Sequence, residues 1–160
     1  NEVNKEVQSE GWSFNTEIDV KLTRDGSDQI ALSTNVLRVD PNIHDHPDVD
    51  AIQRGTKLYD RKEHQYEFDE DLFCTVVYFR TFDEMPEPAR RYVNVKAARI
   101  FVDRLVSDEG LRTYTQQDET RARSILMETD YCNADHNILR GDPAVTSVFS
   151  TYSPANVLIR

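Results

Sequence analysis

The sequence predicts an α+β protein, in which a helical bundle accompanies an antiparallel β region and an extended C-terminal tail. Apolar residues alternate with polar ones through much of residues 12–80, and they recur at three-and-four spacing through residues 82–132. The first pattern is typical of half-buried strands and the second of amphipathic helices. After residue 142 neither pattern continues. We therefore divide the chain into one domain, residues 1–142, and a tail, residues 143–160.

The domain is predicted to open with the end of a helix in residues 1–11. Val3 and Val7 lie four residues apart between polar residues, and Gly11 follows at a position typical of a helix stop. The sequence is thus expected to begin inside a helix. From Trp12 the period changes to two. One face of the predicted first strand carries Trp12, Phe14, Ile18, Val20 and Leu22.

Turn residues divide the remaining β region. Asp25-Gly26 is a strong signal for a hairpin after the first strand, and Arg54-Gly55 predicts a second turn. Short strands are predicted at residues 30–32 and 36–39. Residues 72–80 are rich in β-branched and aromatic side chains, which predicts a central strand covered on both faces.

Acids and prolines at residues 83–88 predict the start of the longest helix, because the helix dipole favours anions there and proline lacks only an unneeded donor. A break at residues 107–110 and a second helical stretch from about Gln116 predict a hairpin of two antiparallel helices. The predicted core residues of the whole domain are Trp12, Phe14, Ile18, Val76, Tyr92, Ile100, Phe101 and Ile125.

Composition excludes several classes of protein. The formal net charge is −10, so the chain repels phosphate polymers and anionic lipid, and tight DNA binding is disfavoured. The longest nearly apolar run has eight residues, whereas a spanning helix needs about 20. Apolar residues make up 38% of the chain, below the roughly 45–50% of ordinary domains, so neighbouring subunits are expected to complete the core. Cys74 and Cys132 form no CxxC, which favours a reducing compartment and leaves one disulfide open.

Candidate catalytic and metal-binding residues are few. His44 and His46 form the only metal-like pair, but they lie in the polar segment 41–50, where a solvated loop is favoured. Asp83, Glu84 and Glu87 could form a hydrolytic carboxylate pair, although acids at a helix start have a simpler role there.

Three other sets of residues are weaker candidates. His136 beside Asp135 could be an acid–base pair but is more typical of a polar surface. The basic residues of the first predicted hairpin helix are expected to make helix or subunit contacts; they are Arg90, Arg91, Lys96, Arg99 and Arg104. No nucleophile elbow or phosphate-binding glycine loop is present in the sequence. We therefore predict no enzymatic activity, no cofactor and no metal.

Several ordered blocks of sequence resemble one family. Gln8-Ser9-Glu10-Gly11-Trp12-Ser13-Phe14-Asn15 is similar to a passage of tail tubular protein A in T7-like short-tailed bacteriophages. Further blocks are similar in the same order, and they cover most of residues 8–142. They include Phe82-Asp83-Glu84-Met85-Pro86-Glu87, Lys96-Ala97-Ala98-Arg99-Ile100-Phe101 and Asn137-Ile138-Leu139-Arg140-Gly141-Asp142.

The resemblance implies a structural virion protein: a twelvefold adaptor ring that joins the portal to the tail nozzle protein, tail tubular protein B, and lets DNA pass. It also implies assembly in the host cytoplasm. The apolar side chains of the tail are then expected to dock on a partner; they are Val148, Phe149, Tyr152, Val157, Leu158 and Ile159. Two alternatives are a tail-associated cell-wall or polysaccharide hydrolase and a monomeric acidic binding module. The hydrolase would need two carboxyls about 5–10 Å apart with one pKa raised by burial.

Overall fold

The protein is an α+β structure of three helices and five strands in the part that the computed structural model describes, residues 2–42, 44–105 and 109–133. The helices are α1 (Glu2–Ser9), α2 (Glu87–Leu105) and α3 (Glu109–Asn133). The strands are β1 (Thr16–Leu22), β2 (Val36–Pro41), β3 (Ala51–Arg54), β4 (Lys57–Asp60) and β5 (Leu72–Tyr78). This confirms the predicted fold class. The predicted tail, residues 143–160, lies outside the described residues.

The main sheet has three antiparallel strands in the order β1-β5-β2, so β5 is central, as predicted. The second sheet is the hairpin β3–β4, which turns at Gly55 with a φ of 63°. The expectation that β5 is covered on both faces is only partly right. The face of β5 that points away from the core of the sheet is covered at Val77, near α1. The same face is open at Phe73, whose side chain is 38% exposed. The short helix α1 does not extend over the whole strand.

The predicted face of the first strand is wrong at Ile18, which is 70% exposed. Between Glu17 and Val20 the pairing with β5 shifts by one residue, because Asp19 adopts a positive φ of 56°. An extra residue in a strand reverses the direction of the side chains beside it. Ile18 therefore points to solvent, while Val20 and Leu22 pack against the core of the sheet.

The predicted hairpin at Asp25 is also wrong, because β1 pairs with β5 and not with the segment that follows it. Asp25 does form a turn, since its carboxylate accepts the N–H groups of Ser27 and Gln29. The segment beyond makes isolated bridges, from Gln29 to Glu67 and from Ala31 to Lys57 of β4. Ile30 nevertheless contributes to the core as a fully buried side chain.

Two apolar clusters form the interior. One lies among the strands and includes Val76; the other joins α1, α2 and α3 around Trp12 and Tyr92. Phe14 packs against the second cluster and remains partly exposed. Ile100 and Ile125 are also only half-buried.

Helices α2 and α3 form the predicted antiparallel hairpin. Arg123 of α3 contacts Tyr92 near the start of α2, whereas Glu119 contacts Arg99 one to two turns further along. The predicted core position of Phe101 is wrong, since this side chain is 64% exposed. Phe101 follows Tyr92 by nine residues, about two and a half turns of helix, and so projects from the opposite side of α2.

Candidate functional site

The segment between β2 and β3 holds the histidine pair that the sequence offered as a metal site. His44 is exposed, but His46 is buried, so the prediction of a solvated loop is wrong for His46. The Phe73 N–H donates to His46 Nε2 at 2.9 Å, and His46 Nδ1 lies 2.8 Å from Glu70 Oε1. An acceptor at Nε2 places the ring proton on Nδ1, which donates to Glu70. His46 therefore anchors its loop to β5.

No group of three potential metal-binding side chains occurs among the described residues. The helix-start carboxylates have local partners instead. Glu84 accepts hydrogen bonds from the N–H and the hydroxyl of Thr81, both at 2.8 Å, and these bonds lower the pKa of Glu84. Glu87 pairs with Arg90 at 2.8 Å. These acids stabilise the short 3-10 turn Phe82–Glu84 and the first turn of α2.

The basic side chains of α2 divide into two groups. Lys96 reaches Glu6 of α1 at 3.2 Å, and Arg99 pairs with Asp103 and with Glu119 of α3. These contacts hold the helices together. Arg91 and Arg104, in contrast, are exposed on α2.

Both cysteines are free thiols. Cys74 is buried in β5, and burial raises its pKa from 9.0 to about 12. A buried neutral thiol of this kind is inert as a nucleophile. Cys132 lies exposed in the last turn of α3.

Asp135, His136 and the apolar side chains predicted to dock on a partner lie outside the described residues. The latter are Val148, Phe149, Tyr152, Val157, Leu158 and Ile159.

A cavity of about 510 Å³ opens between the β3–β4 hairpin and the segment before β5. Its lining is strongly acidic and includes Asp48, Asp60, Glu63, Glu67, Asp69 and Glu70, with Lys62 as its basic residue. Such a lining repels phosphate and other anions. Asp48 is paired with Lys62 at 2.8 Å, which lowers the pKa of the Asp48 carboxyl. An acid kept ionised in this way is no proton donor at neutral pH, as a hydrolase would require.

A buried polar network joins the helices to the sheet. The Gln8 side chain of α1 binds both the N–H and the C=O of Arg80, just after β5. Asn15 donates to the carbonyls of Gln8 and Tyr78 and accepts the N–H of Trp12. Both side chains are fully buried.

A second set of polar contacts joins α3 to α2 and to Glu10, which directly follows α1. Arg123 of α3 forms a bidentate pair with Glu10, at 2.8 and 3.1 Å, and donates to the Tyr92 hydroxyl. These bonds raise the pKa of Arg123, so its charge is permanent. Gln8, Asn15 and Arg123 are not among the candidate residues that the sequence patterns indicated. Gln8 and Asn15 do belong to the first block that carries the family resemblance, which was the available signal.

The described helices include none that is long and apolar enough to cross a membrane. The arrangement as a whole is a helical unit and a sheet unit held together by buried polar contacts, and the described polar clusters serve structural roles. The geometry therefore suits a protein that acts through its surfaces.

Comparison with known proteins agrees with this conclusion. The sequence profile of the tail tubular protein family matches residues 1–136. A search of the curated proteins gives no match. Because the family profile covers most of the sequence, this chain belongs to the tail tubular protein family and is a structural component of a phage tail.

Proposed function

We propose that the protein is the ring-shaped adaptor that joins the portal to the tail nozzle and lets DNA pass. The observation that carries the proposal is the family match over residues 1–136. The ordered blocks similar to tail tubular protein A, in residues 8–142, favour the adaptor within that family. The same resemblance implies twelve copies in the ring and assembly in the host cytoplasm.

The charge of the chain supports a channel role. A ring of twelve copies at −10 each would surround the duplex with a strongly negative field. DNA phosphates would then be repelled from the wall, and no continuous row of Lys and Arg would hold the duplex by releasing counterions. The acidic cavity beside the β3–β4 hairpin adds to this field. DNA would slide past the wall without stopping.

The junction between helices and sheet supports a mechanical role. An adaptor must hold its two partners in a fixed relative orientation. Gln8 and Asn15 bind backbone groups on both sides of the junction with fully buried side chains. Satisfied buried polar networks favour one arrangement over slipped alternatives. The partners would therefore dock on a rigid unit.

The apolar tail supplies the proposed docking segment. Residues 143–160 carry six large apolar side chains within residues 148–159, and each favours burial by about 1.5–3 kcal/mol. We propose that these side chains lie against the portal, the nozzle or a neighbouring adaptor subunit.

The test is assembly of phage particles in which this gene is deleted and then supplied in trans. Without the protein, particles should contain a portal but lack the nozzle and lose their DNA. Electron microscopy of the particles and counting of labelled subunits give the readout. A nozzle attached in the absence of this protein would contradict the proposal.

A truncated chain tests the tail separately. Deleting residues 145–160 should leave the domain folded but weaken its attachment to its neighbours. A variant with the last sixteen residues replaced by Gly and Ser is the matched control for length. If the truncated chain is incorporated as well as the full chain, the docking role of the tail is wrong, while the adaptor role remains.

A further inference from the structure

Two exposed rows on the helical hairpin have the geometry of a contact between copies. On α3 the row consists of Gln117, Thr120, Ser124, Met127 and Tyr131, spaced three and four residues apart. A repeat of this kind averages 3.5 residues and keeps one face of a helix against a partner helix. The row spans fifteen residues, and its two ends are about 21 Å apart along the helix axis.

The α3 row can be buried at low cost although it is exposed. It carries no charge, in a chain where 30% of residues are charged. The Thr120 hydroxyl donates to the Gln116 carbonyl at 2.9 Å, and the Ser124 hydroxyl donates to the Thr120 carbonyl at 3.0 Å. Because these hydroxyls already have partners on their own helix, a neighbour that covers them leaves neither hydroxyl unsatisfied. Met127, 53% exposed, adds an apolar side chain.

The row on α2 differs from the α3 row because it carries a charged residue and a large aromatic side chain. It consists of Arg91, Asn94, Ala98 and Phe101, again at three-and-four spacing, and Arg104 lies beside it. Phe101 is a large side chain that is 64% exposed. The small residues of the α3 row offer space for such a side chain, as facing knobs and holes do in packed helices.

The charges of the two helices determine which row of one copy contacts which row of the next. Among the described side chains, the exposed charges outside the intramolecular ion pairs are Arg91 and Arg104 on α2, a charge of +2, and Asp118, Arg121 and Glu128 on α3, a charge of −1. A contact of α2 with α2, or of α3 with α3, brings like charges together. A contact between α2 of one copy and α3 of the next brings opposite charges together. Such a head-to-tail contact, repeated, closes a ring when the rotation between copies allows it.

We propose that the α2 row of one subunit packs on the α3 row of its neighbour and forms the subunit contact of the ring. Arg91 and Arg104 of one copy then face the exposed acids Asp118 and Glu128 of the next. The two arginines lie thirteen residues apart and the two acids ten, about 20 Å and 15 Å along their helices, so long arginine side chains span the difference. The inference rests on the ring proposed above and names the surface that builds it.

Charge exchange between copies tests the contact. One variant carries Arg91→Glu and Arg104→Glu, and the other carries Asp118→Arg and Glu128→Arg. Each is supplied alone, as a full chain, to a phage that lacks the gene. Each alone should lower the yield of infective particles by about tenfold or more, since every subunit contact then joins like charges. Supplied together, the two variants should restore the yield, because alternating copies again join opposite charges.

Controls separate this contact from other causes. Glu2→Arg with Asp40→Arg, at exposed positions of α1 and β2, makes the same change in net charge as the Asp118→Arg and Glu128→Arg variant and should leave the yield unchanged. Cross-linking gives a second readout: Ala98→Cys with Ser124→Cys, in a Cys132→Ser background, should produce a ladder of disulfide-linked copies from purified particles.

The outcomes are distinguishable. Full yield from either charge variant alone, or no recovery when both are present, overturns the contact and leaves the adaptor role intact. Cross-links only within one chain would mean that positions 98 and 124 meet inside one hairpin, and would also overturn the contact. If unmodified particles contain no ring of this protein, both the proposed function and the contact are wrong.

Discussion

The side-chain amide of Gln8 binds the backbone of Arg80 in both directions. Gln8 Nε2 donates to the Arg80 carbonyl at 2.9 Å, and Gln8 Oε1 accepts the Arg80 N–H at 2.7 Å. The two residues are separated by 72 positions in sequence. Gln8 thus substitutes for a neighbouring strand where β5 has ended, and it ties α1 to the segment leading into α2.

Replacement of this amide should be costly. Gln8→Ala leaves two backbone groups of Arg80 without partners in a buried site, and each unsatisfied group costs about 1–3 kcal/mol. We expect the free energy of unfolding to fall by about 2–4 kcal/mol, measured by urea denaturation. Ser9→Ala, at an exposed neighbouring position whose hydroxyl binds only the Lys5 carbonyl, should change it by less than about 0.5 kcal/mol. Equal effects of the two substitutions would refute the role of Gln8.

The sequence predicts the helices of this fold better than its strand pairing. The three-and-four pattern predicted α2 and α3, because the spacing of apolar residues along one helix is a local property of the sequence. The partner of β1 is β5, some fifty residues further along, and the alternating pattern of β1 contains no information about that choice. Ile30 illustrates the result: its apolar neighbourhood resembles a strand, but the residues on either side of it bridge Glu67 and Lys57 and not β1.

The buried polar residues were not predictable from residue type. The sequence patterns indicated charged and nucleophilic side chains, whereas the buried polar residues of this fold include the amides Gln8 and Asn15. An amide acquires its importance from the backbone groups that it meets after folding, and those lie far away in sequence. The family resemblance marked both residues only as part of a similar block.

The bulge in β1 predicts unequal roles for two apolar residues that the sequence placed in the same core. Val76 is fully buried and Ile18 is 70% exposed. Val76→Ala should lower the free energy of unfolding by about 2 kcal/mol through lost burial and the cavity that remains. Ile18→Ala should change it by less than about 0.5 kcal/mol. Thermal and urea unfolding of both variants provide the measurement, and a larger effect at Ile18 than at Val76 would contradict the bulge.

The two thiols should differ sharply in reactivity. Cys132 is exposed, while burial of Cys74 raises its pKa to about 12. An aromatic disulfide reagent at pH 8 should therefore label one thiol rapidly and the second only at the rate of unfolding. In Cys132→Ser, rapid labelling should disappear. Rapid labelling that persists in this variant would show that Cys74 is accessible.

The raised pKa of Cys74 predicts that the free energy of unfolding falls at alkaline pH. The pKa of Cys74 is raised above its ordinary value of 9.0, so the folded state retains the proton that the unfolded state loses. The contribution of Cys74 to stability is fully present below pH 9 and is lost as the pH rises toward 12. Cys74→Ala should remove this alkaline component of the unfolding curve, which a series of urea denaturations from pH 8 to pH 11 can measure.

The last prediction concerns His46 and the loop between β2 and β3. The Phe73 N–H lies on the central strand and donates to His46 Nε2, so this amide is paired through a side chain and not through a neighbouring strand. His46→Ala leaves the Phe73 N–H unsatisfied and should lower the free energy of unfolding by about 1–3 kcal/mol. It should also speed hydrogen exchange of the Phe73 amide relative to other amides of β5, because the loop no longer covers it.

His44 provides the matched control for this prediction. It lies two residues away in the same loop and is exposed. The His44 N–H takes no part in the sheet, because it donates to the Asn42 side chain at 3.1 Å. His44→Ala should leave both the stability and the exchange of the Phe73 amide unchanged. His46→Gln, whose side-chain oxygen can accept the same N–H, should restore part of the protection. If His44→Ala and His46→Ala have the same effect on that amide, the loop is held by its other contacts and His46 does not anchor it.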